Sequence, residues 1–170
     1  MSFSVLSFAP EHAAAVRELF IRVNRLLAPP AMKQQFEAYI ERSLAEEVDR
    51  IDDYYHAHNG GFWVAIDGKH VIGMFGLEQI APDAMELRRM YVDPSQRRRG
   101  VARKMLAFAE TECARRSFRR LDLSTSELQR EALALYRNAG YRLLREDVAI
   151  EASNKALGGG LRRYYFTKAL

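Results

Sequence analysis

A chain of 170 residues that is 48% hydrophobic and 28% charged is long enough to bury a core, and we treat residues 1–170 as one domain. This composition argues against disorder, and no apolar run approaches the roughly 18 residues that a membrane span requires. The N-terminus shows no basic segment followed by an apolar one, so we expect no secretory signal, a cytoplasmic protein and no membrane partner.

The net charge of +4 hides an uneven distribution of charged residues. Seven acids and two arginines lie between Glu37 and Asp53, whereas eleven Lys or Arg and three acids lie between Arg88 and Arg120. This asymmetry indicates either two surfaces with different partners or two solvated helix faces. The four histidines and Cys113 lack metal-ligand spacing, so we expect no metal site.

The first half of the chain reads as a strand followed by helices. The segment FSVLSFAP alternates like a strand, and a helix with apolar residues at helical spacing runs from Pro10 to the Pro29-Pro30 break. In a second helical region the apolar residues from Met32 to Ile51 fall on one stripe and the acids fall on the opposite face. Asn59-Gly60-Gly61 ends this helical region.

The second half predicts a mixed sheet. FWVAI and VIGMFGLEQI are joined by an Asp67-Gly68 turn, and MELRRMYVD completes an antiparallel meander that Pro94 ends. A helix from Val101, the strand RLDLST, a helix closed by Gly140 and two final strands follow. The predicted fold is an α/β (α+β) domain with about six to seven strands in a mixed sheet flanked by helices.

The basic stretch RRRGVARKM lies between a strand and a helix. The first N–H groups of a helix have no partners within the helix, and the helix dipole favours negative charge there, so this location binds anions. Gly100 lets the backbone approach a phosphate closely, Ala102 is small, and the arginines add charged hydrogen bonds. The alternative is a tight turn with a solvated basic face.

The motif Arg97-x-x-Gly100-x-Ala102 resembles the Q/R-x-x-G-x-G/A loop of the GNAT superfamily of acyl-CoA-dependent N-acyltransferases. LRRMYVDPSQRRRGVARKML resembles the central motif of that superfamily, and ALALYRNAGY resembles its later helix. The resemblance covers most of residues 62–141. GGFWVAIDG and LQREALALY are also similar to the camello-like branch.

The resemblance implies a domain that binds acetyl-CoA as co-substrate. It assigns the pyrophosphate to the loop and pairs the pantetheine arm with the backbone of the preceding strand, as an added strand would pair. Gln129 stands where many members have an asparagine that contacts the cofactor. The implied cofactor-binding residues are Met90, Tyr91, Val92, Arg97, Arg98, Arg99, Gly100, Val101, Ala102, Arg103 and Gln129.

Acetyl transfer to an amine needs a base that takes the amine proton, a hydrogen-bond donor that stabilises the oxyanion, and an acid that protonates the leaving thiolate. Glu86, placed like the catalytic glutamate of histone-modifying members, is our candidate base, and a water relay or Glu78 is the alternative. Regular pleating would put Glu86 on the same face as Arg88, Met90 and Val92. The alternative for Glu86 itself is a surface carboxylate paired with Arg88.

Tyr136 matches the family's catalytic tyrosine by position and is the candidate acid. The alternative interpretation is that Tyr136 is an aromatic residue of the core.

A backbone N–H near a bulge at Met90 to Val92 is the expected oxyanion donor. Cys113 lies in a helical pattern away from the thioester, so we expect direct attack of the acceptor in a ternary complex.

The acceptor is expected to be a primary amine of a small molecule or of a protein, at a lysine or the N-terminus. The acids between Glu37 and Asp53 lead to the hypothesis that this amine is cationic. Two other functions stay open: a non-catalytic acyl-CoA sensor, and a nucleic-acid-binding module that uses the arginines. We expect no nucleic-acid partner, because no recognised binding motif is present, and the sequence is compatible with a homodimer.

Overall fold

Strands and helices follow the predicted order in the structure, a computed structural model that describes residues 2–170. Short 3₁₀ turns precede several of the helices. The helices are α1 Ala13–Leu27, α2 Lys33–Glu46, α3 Ile51–Ala57, α4 Val101–Arg115 and α5 Arg130–Asn138. The strands are β1 Ser4–Ser7, β2 Gly61–Asp67, β3 His70–Ala81, β4 Ala84–Val92, β5 Arg120–Ser126, β6 Arg142–Ala149 and β7 Leu161–Ala169.

The seven strands form one mixed sheet in the order β1-β2-β3-β4-β5-β7-β6, which confirms the predicted fold class. Neighbouring strands are antiparallel except β4 and β5, which are parallel and are connected through α4. No helix within residues 2–170 has both the length and the apolar character needed to cross a membrane.

The parallel pair β4 and β5 separates partway along its length. Its pairing runs from Ala84 opposite Arg120 to Leu87 opposite Leu123. Beyond this point β4 continues to Val92 beside β3, and β5 continues to Ser126 beside β7. The strands therefore open into a cleft at the carboxyl end of β4, where ligands bind in open α/β sheets.

Each face of the sheet is covered by a hydrophobic layer. On one face α4 packs with residues such as Met105 and Leu106 against Phe75 and Leu121. On the other face α1, α2 and α3 pack against the sheet through a second set of buried residues that includes Phe20, Ile40, Tyr55, Val64 and Met74.

The second helical region is divided, which corrects the prediction of one continuous stripe. Between α2 and α3 the chain makes a 3₁₀ turn at Val48–Arg50, and Glu47 leaves helical geometry with φ −142° and ψ −60°. The Glu47 side chain is fully buried and accepts hydrogen bonds from Arg89. At this break the Glu47 carboxylate contacts its partners on the sheet.

The regular pleat predicted for β4 is interrupted by a bulge. Arg88 pairs with Gly76 and Tyr91 pairs with Met74, so Arg89 and Met90 both lie opposite the single residue between those partners. Arg89 has φ +54°, a conformation that a bulge accommodates. The predicted bulge is present, but it lies at Arg89-Met90 and begins one residue before the predicted segment Met90 to Val92.

The bulge makes the predicted common face of β4 wrong. Arg88 and Arg89 both contact Glu47 on the side of α1 to α3, whereas Met90 and Val92 pack with the α4 layer. Glu86 contacts Arg88 and therefore lies across the sheet from Met90. The extra residue reverses the alternation of side chains beyond Arg88.

Candidate active site

A cleft of about 800 Å³ occupies the gap between the separated ends of β4 and β5. One wall is the end of β4, the floor is the start of α4, and the opposite wall is α5 with the residues before it. Every residue in the predicted cofactor set except Arg99 lines this cleft, and so does Tyr136.

The start of α4 forms an anion-binding end of the cleft. Gly100 precedes the helix with φ +76°, and the first helical residues Val101, Ala102 and Arg103 all line the cleft. A Cβ at Gly100 would meet no atom of the described chain within 4 Å, so the positive φ and not the space favours glycine there. The unpaired N–H groups and the helix dipole favour a bound anion at this end.

Arginines 97, 98 and 103 line the cleft, but Arg99 lies outside it. Arg97 is exposed, with Nη1 3.7 Å from Oε1 of Glu131. The Arg99 guanidinium instead donates to Oδ2 of Asp67 at 2.9 Å and lies over the Phe3 ring. Arg99 is therefore not brought together with the other predicted cofactor residues.

The different directions of these arginines give a paired test. Arg103→Gln removes a charge from the cleft and should raise the Kd for acetyl-CoA about tenfold, because a charge-assisted phosphate contact is lost. Arg99→Gln breaks the contacts of Arg99 with Asp67, Gln96 and Phe3 and removes no side chain that lines the cleft, so its Kd should stay within about twofold of wild type. Calorimetric titration of both variants measures this, and equal effects would contradict the placement of the two side chains.

The end of β4 presents its backbone to the cleft. The N–H of Asp93 donates to the carbonyl of Ile72 on β3 at 2.8 Å. Because successive N–H groups of a strand point to opposite edges, the N–H of Val92 points away from β3 and toward the cleft. Gln129 lies across the cleft at the start of α5, where its Oε1 accepts a hydrogen bond from the Thr125 hydroxyl at 2.8 Å.

Tyr136 on α5 is buried and lies at the inner end of the cleft. Its ring packs edge-on against Tyr141 and tilted against Phe166. Burial raises the pKa of the Tyr136 phenol well above its usual value, so the hydroxyl stays protonated at neutral pH. A protonated phenol at this position has the chemistry of a proton donor.

A second, smaller cavity of about 80 Å³ lies on the other side of the β4 bulge. It shares Met90, Tyr91, Gln129 and Tyr136 with the large cleft, so the two spaces meet at these residues. Glu86 lines only the small cavity. Its Oε1 lies 3.5 Å from Nη1 of Arg88, the pairing named as its alternative, and 3.3 Å from Nζ of Lys155.

Glu78, the alternative base, is less accessible than Glu86. Its side chain is 2% exposed, against 23% for Glu86. It accepts a hydrogen bond from the Tyr54 hydroxyl at 2.9 Å, and Nζ of Lys155 lies 2.8 Å from its Oε1. Glu86 is thus the carboxylate with access to the small cavity.

A buried charge cluster beneath this cavity was missed by the sequence analysis. Glu47 accepts hydrogen bonds from Nε of Arg89 at 2.9 Å, from Arg88 and from the Tyr55 hydroxyl at 2.7 Å. Burial alone would raise the pKa of Glu47, but the charges and hydrogen bonds of Arg89 and Arg88 outweigh it and hold the pKa at about 2. Glu47 comes three residues after buried Leu44 and four before buried Ile51, so its place on the apolar stripe was the available signal.

Cys113 is buried in α4 within the core and does not line the cleft or the small cavity. Burial raises the pKa of its thiol to about 12, so it is not a thiolate at neutral pH.

Replacement of this cysteine tests for a covalent acyl-enzyme. Cys113→Ala should leave the rate of CoA release unchanged and cost about 1 kcal/mol of unfolding free energy, because only a small buried group is lost. The rate is measured by thiol detection under saturating acetyl-CoA. Loss of activity in a folded variant would indicate an acyl-cysteine route.

Comparison with known proteins points to one family. The model of the acetyltransferase (GNAT) family matches residues 28–141. Probable N-acetyltransferase 14 from Xenopus tropicalis is 32% identical over 99 residues, covering 57% of this chain and 48% of that protein. Probable N-acetyltransferase camello from Xenopus tropicalis is 30% identical over 118 residues, covering 67% and 53%. The chain spans about half the length of these curated relatives.

Solved structures share the fold across the whole chain. The PaiA N-acetyltransferase from Thermoplasma acidophilum, solved in complex with coenzyme A, superposes with a TM-score of 0.76 at 16% identity. The match covers 100% of both chains. At this level of identity the similarity shows the architecture alone.

Proposed function

The chain belongs to the acetyltransferase (GNAT) family, as its loop motif predicted, and we propose that it transfers an acetyl group from acetyl-CoA to a primary amine. The observation that carries this proposal is the continuity of the cleft. One space joins the anion-binding start of α4, the free edge of β4 and the phenol of Tyr136. A diphosphate, an extended amide-containing arm and a thioester need these three features in this order.

The residues of the cleft fit acetyl-CoA as co-substrate. The N–H groups of Val101 to Arg103 and the side chains of Arg97, Arg98 and Arg103 would hold the pyrophosphate. The pantetheine amides would pair with the backbone of Met90 to Val92, which faces the gap between the strands. The amide of Gln129 would contact the same arm from the opposite wall.

The reaction is proposed to be direct transfer in a ternary complex. The amine nitrogen attacks the thioester carbonyl, a C–N bond forms, and the C–S bond then breaks. The Val92 N–H stabilises the oxyanion, Glu86 takes the amine proton directly or through water, and Tyr136 returns a proton to the thiolate. The amine enters from the small cavity, where Glu86 lies, and meets the thioester beside Tyr136.

Thermal stability in the presence of acetyl-CoA tests the proposal against its alternatives. Acetyl-CoA should raise Tm at physiological salt, since a ligand that binds only the folded state stabilises it. An oligonucleotide should have a weak effect that salt removes. CoA release with a panel of amines then separates a transferase from a sensor, which would bind acetyl-CoA and acetylate no amine.

Three further assignments are part of the proposal. We propose the camello-like branch, supported by the similarity to the camello protein. We propose a cytoplasmic location, which cell fractionation tests. A homodimer remains a prediction, and light scattering in solution decides it.

A further inference from the structure

The charged residues that line the small cavity behind the β4 bulge are mainly cationic. Four cationic side chains face it, from Arg88, Arg89, Lys155 and Arg163, together with the single carboxylate of Glu86. The seven acids between Glu37 and Asp53 do not line it: Glu37 pairs with Arg25 at the surface, for example, and Glu47 lies beneath the arginines. The acidic run therefore contributes no side chain to this cavity, where the cations outnumber the carboxylate.

Three of the four cations have carboxylate partners. Arg88 and Arg89 both pair with the buried Glu47. Lys155 lies 2.8 Å from Glu78 and 3.3 Å from Glu86. These three carboxylates balance three positive charges.

Arg163 is the remaining cation. It lies on β7 between Ser126 of β5 and Asp147 of β6 and is half-buried, and the Asp147 carboxylate pairs with Arg145. Its Nη2 donates to Oγ of Ser124 at 2.8 Å, and it forms no ion pair in the part of the chain that the structure describes. An Arg fork bound to one neutral hydroxyl keeps donors for a further acceptor, and carboxylates match its geometry best.

The small cavity already accommodates an amine beside Glu86. The Lys155 ammonium lies between Glu78 and Glu86. The backbone before Lys155 is held by a hydrogen bond that Arg89 donates to the carbonyl of Asn154. Glu86 is thus placed to bind an ammonium group, and Arg163 lines the same cavity. Together they offer one site for a positive group and one for a negative group.

We infer that the acceptor is a primary amine that also carries a carboxylate, such as an amino acid, and that Arg163 binds this carboxylate. The inference rests on the proposed acetyl transfer. The acceptor amine takes over the contact of Lys155 with Glu86, and the Arg163 contact fixes the other end of the molecule. The net positive charge of the cavity disfavours acceptors that carry only positive charge. This inference therefore replaces the hypothesis of a purely cationic acceptor that was based on the acidic run.

Matched acceptors test the inference. We would compare amino acids with their carboxamides and with the amines left after removal of the carboxyl group, using thiol detection of released CoA. The amino acid should have a kcat/KM at least about tenfold higher than both analogues, the loss expected for one charged contact. Equal values, or a preference for the analogues, would overturn the inference.

Substitution of Arg163 provides the second arm. Arg163→Gln should raise KM for the amino acid about tenfold with little change in kcat. The kcat and KM for the decarboxylated amine and the Kd for acetyl-CoA should change little. Arg163→Lys should restore part of the loss. The control is Arg162→Gln, because Arg162 immediately precedes Arg163 on β7 and pairs with Glu146 instead. An equal loss with all acceptors would show a structural role and contradict the inference.

The two proposals fail in different ways. Absence of acetyl-CoA binding, or binding without transfer to any amine, would overturn the transferase proposal and this inference with it. Transfer that is indifferent to the carboxylate would overturn the inference alone. Circular dichroism of each variant confirms that the fold is kept.

Discussion

Replacement of Glu47 by glutamine is expected to lower the free energy of unfolding by about 3 to 5 kcal/mol, the cost of leaving a buried charge without its partner. The Glu47 side chain is 0% exposed, and those of Arg88 and Arg89 are 5% and 3% exposed. Neither arginine can lose its proton or reach water to compensate for the missing carboxylate. Because Arg88 precedes the β4 bulge and Arg89 is part of it, the loss should also loosen the backbone beside the proposed thioester site.

Chemical denaturation of Glu47→Gln and of a neighbouring control measures this effect. Glu46 is exposed at the end of α2, so Glu46→Gln should change stability by no more than about 0.5 kcal/mol. Similar losses for the two variants would show that the buried ion pairs do not stabilise the fold.

The stability of the wild-type protein should also depend on the ionisation of Glu47. The pKa of Glu47 is about 2 in the folded state, below its ordinary value of 4.5. Its contribution is therefore complete above about pH 4.5 and is lost as the pH falls through about 2, a change of about 3 kcal/mol. The stability difference between wild type and Glu47→Gln should shrink over this interval.

Replacement of Tyr136 by phenylalanine is expected to lower kcat by on the order of 10²-fold while leaving the Kd for acetyl-CoA within about twofold. The phenylalanine ring keeps the packing against Tyr141 and Phe166, and only the hydroxyl is removed. The thiolate would then leave without a proton from the enzyme. CoA release under saturating acetyl-CoA gives kcat, and calorimetry gives Kd.

Tyr141→Phe is the matched control for this experiment. Tyr141 packs against Tyr136 in the same aromatic cluster, and its hydroxyl donates to Glu110 at 2.8 Å, away from both cavities. Its removal should cost stability and leave kcat unchanged. An unchanged kcat in Tyr136→Phe would remove this residue from the mechanism.

Local patterns predicted the fold well because each element carries its own signals. The Asp67-Gly68 turn gives the hairpin, Pro94 ends β4, and the strand-loop-helix order around Gly100 gives the cleft. These features depend on residues close together in the chain. The lining of the cleft depends on the same local features, and all of the predicted cofactor-binding residues except Arg99 line it; their role in binding stays a prediction.

Long-range pairing was not predictable from the same patterns. Glu47 and Arg89 are 42 residues apart, and only the folded sheet brings the carboxylate under the β4 bulge. The extra residue of the bulge then reverses the face of Met90, which no alternation rule could show. In the sequence Arg163 is an ordinary strand residue. Only the structure shows that it lines the small cavity with three other cations and that, unlike them, it forms no ion pair within the described residues.

Calorimetric titration of the wild-type protein with acetyl-CoA tests most directly whether the cleft at the start of α4 seats the pyrophosphate. We predict saturable binding of one acetyl-CoA per chain, weaker at high salt because arginines neutralise the phosphates. The absence of binding to folded protein would contradict the account, and the transferase and sensor functions would fail together.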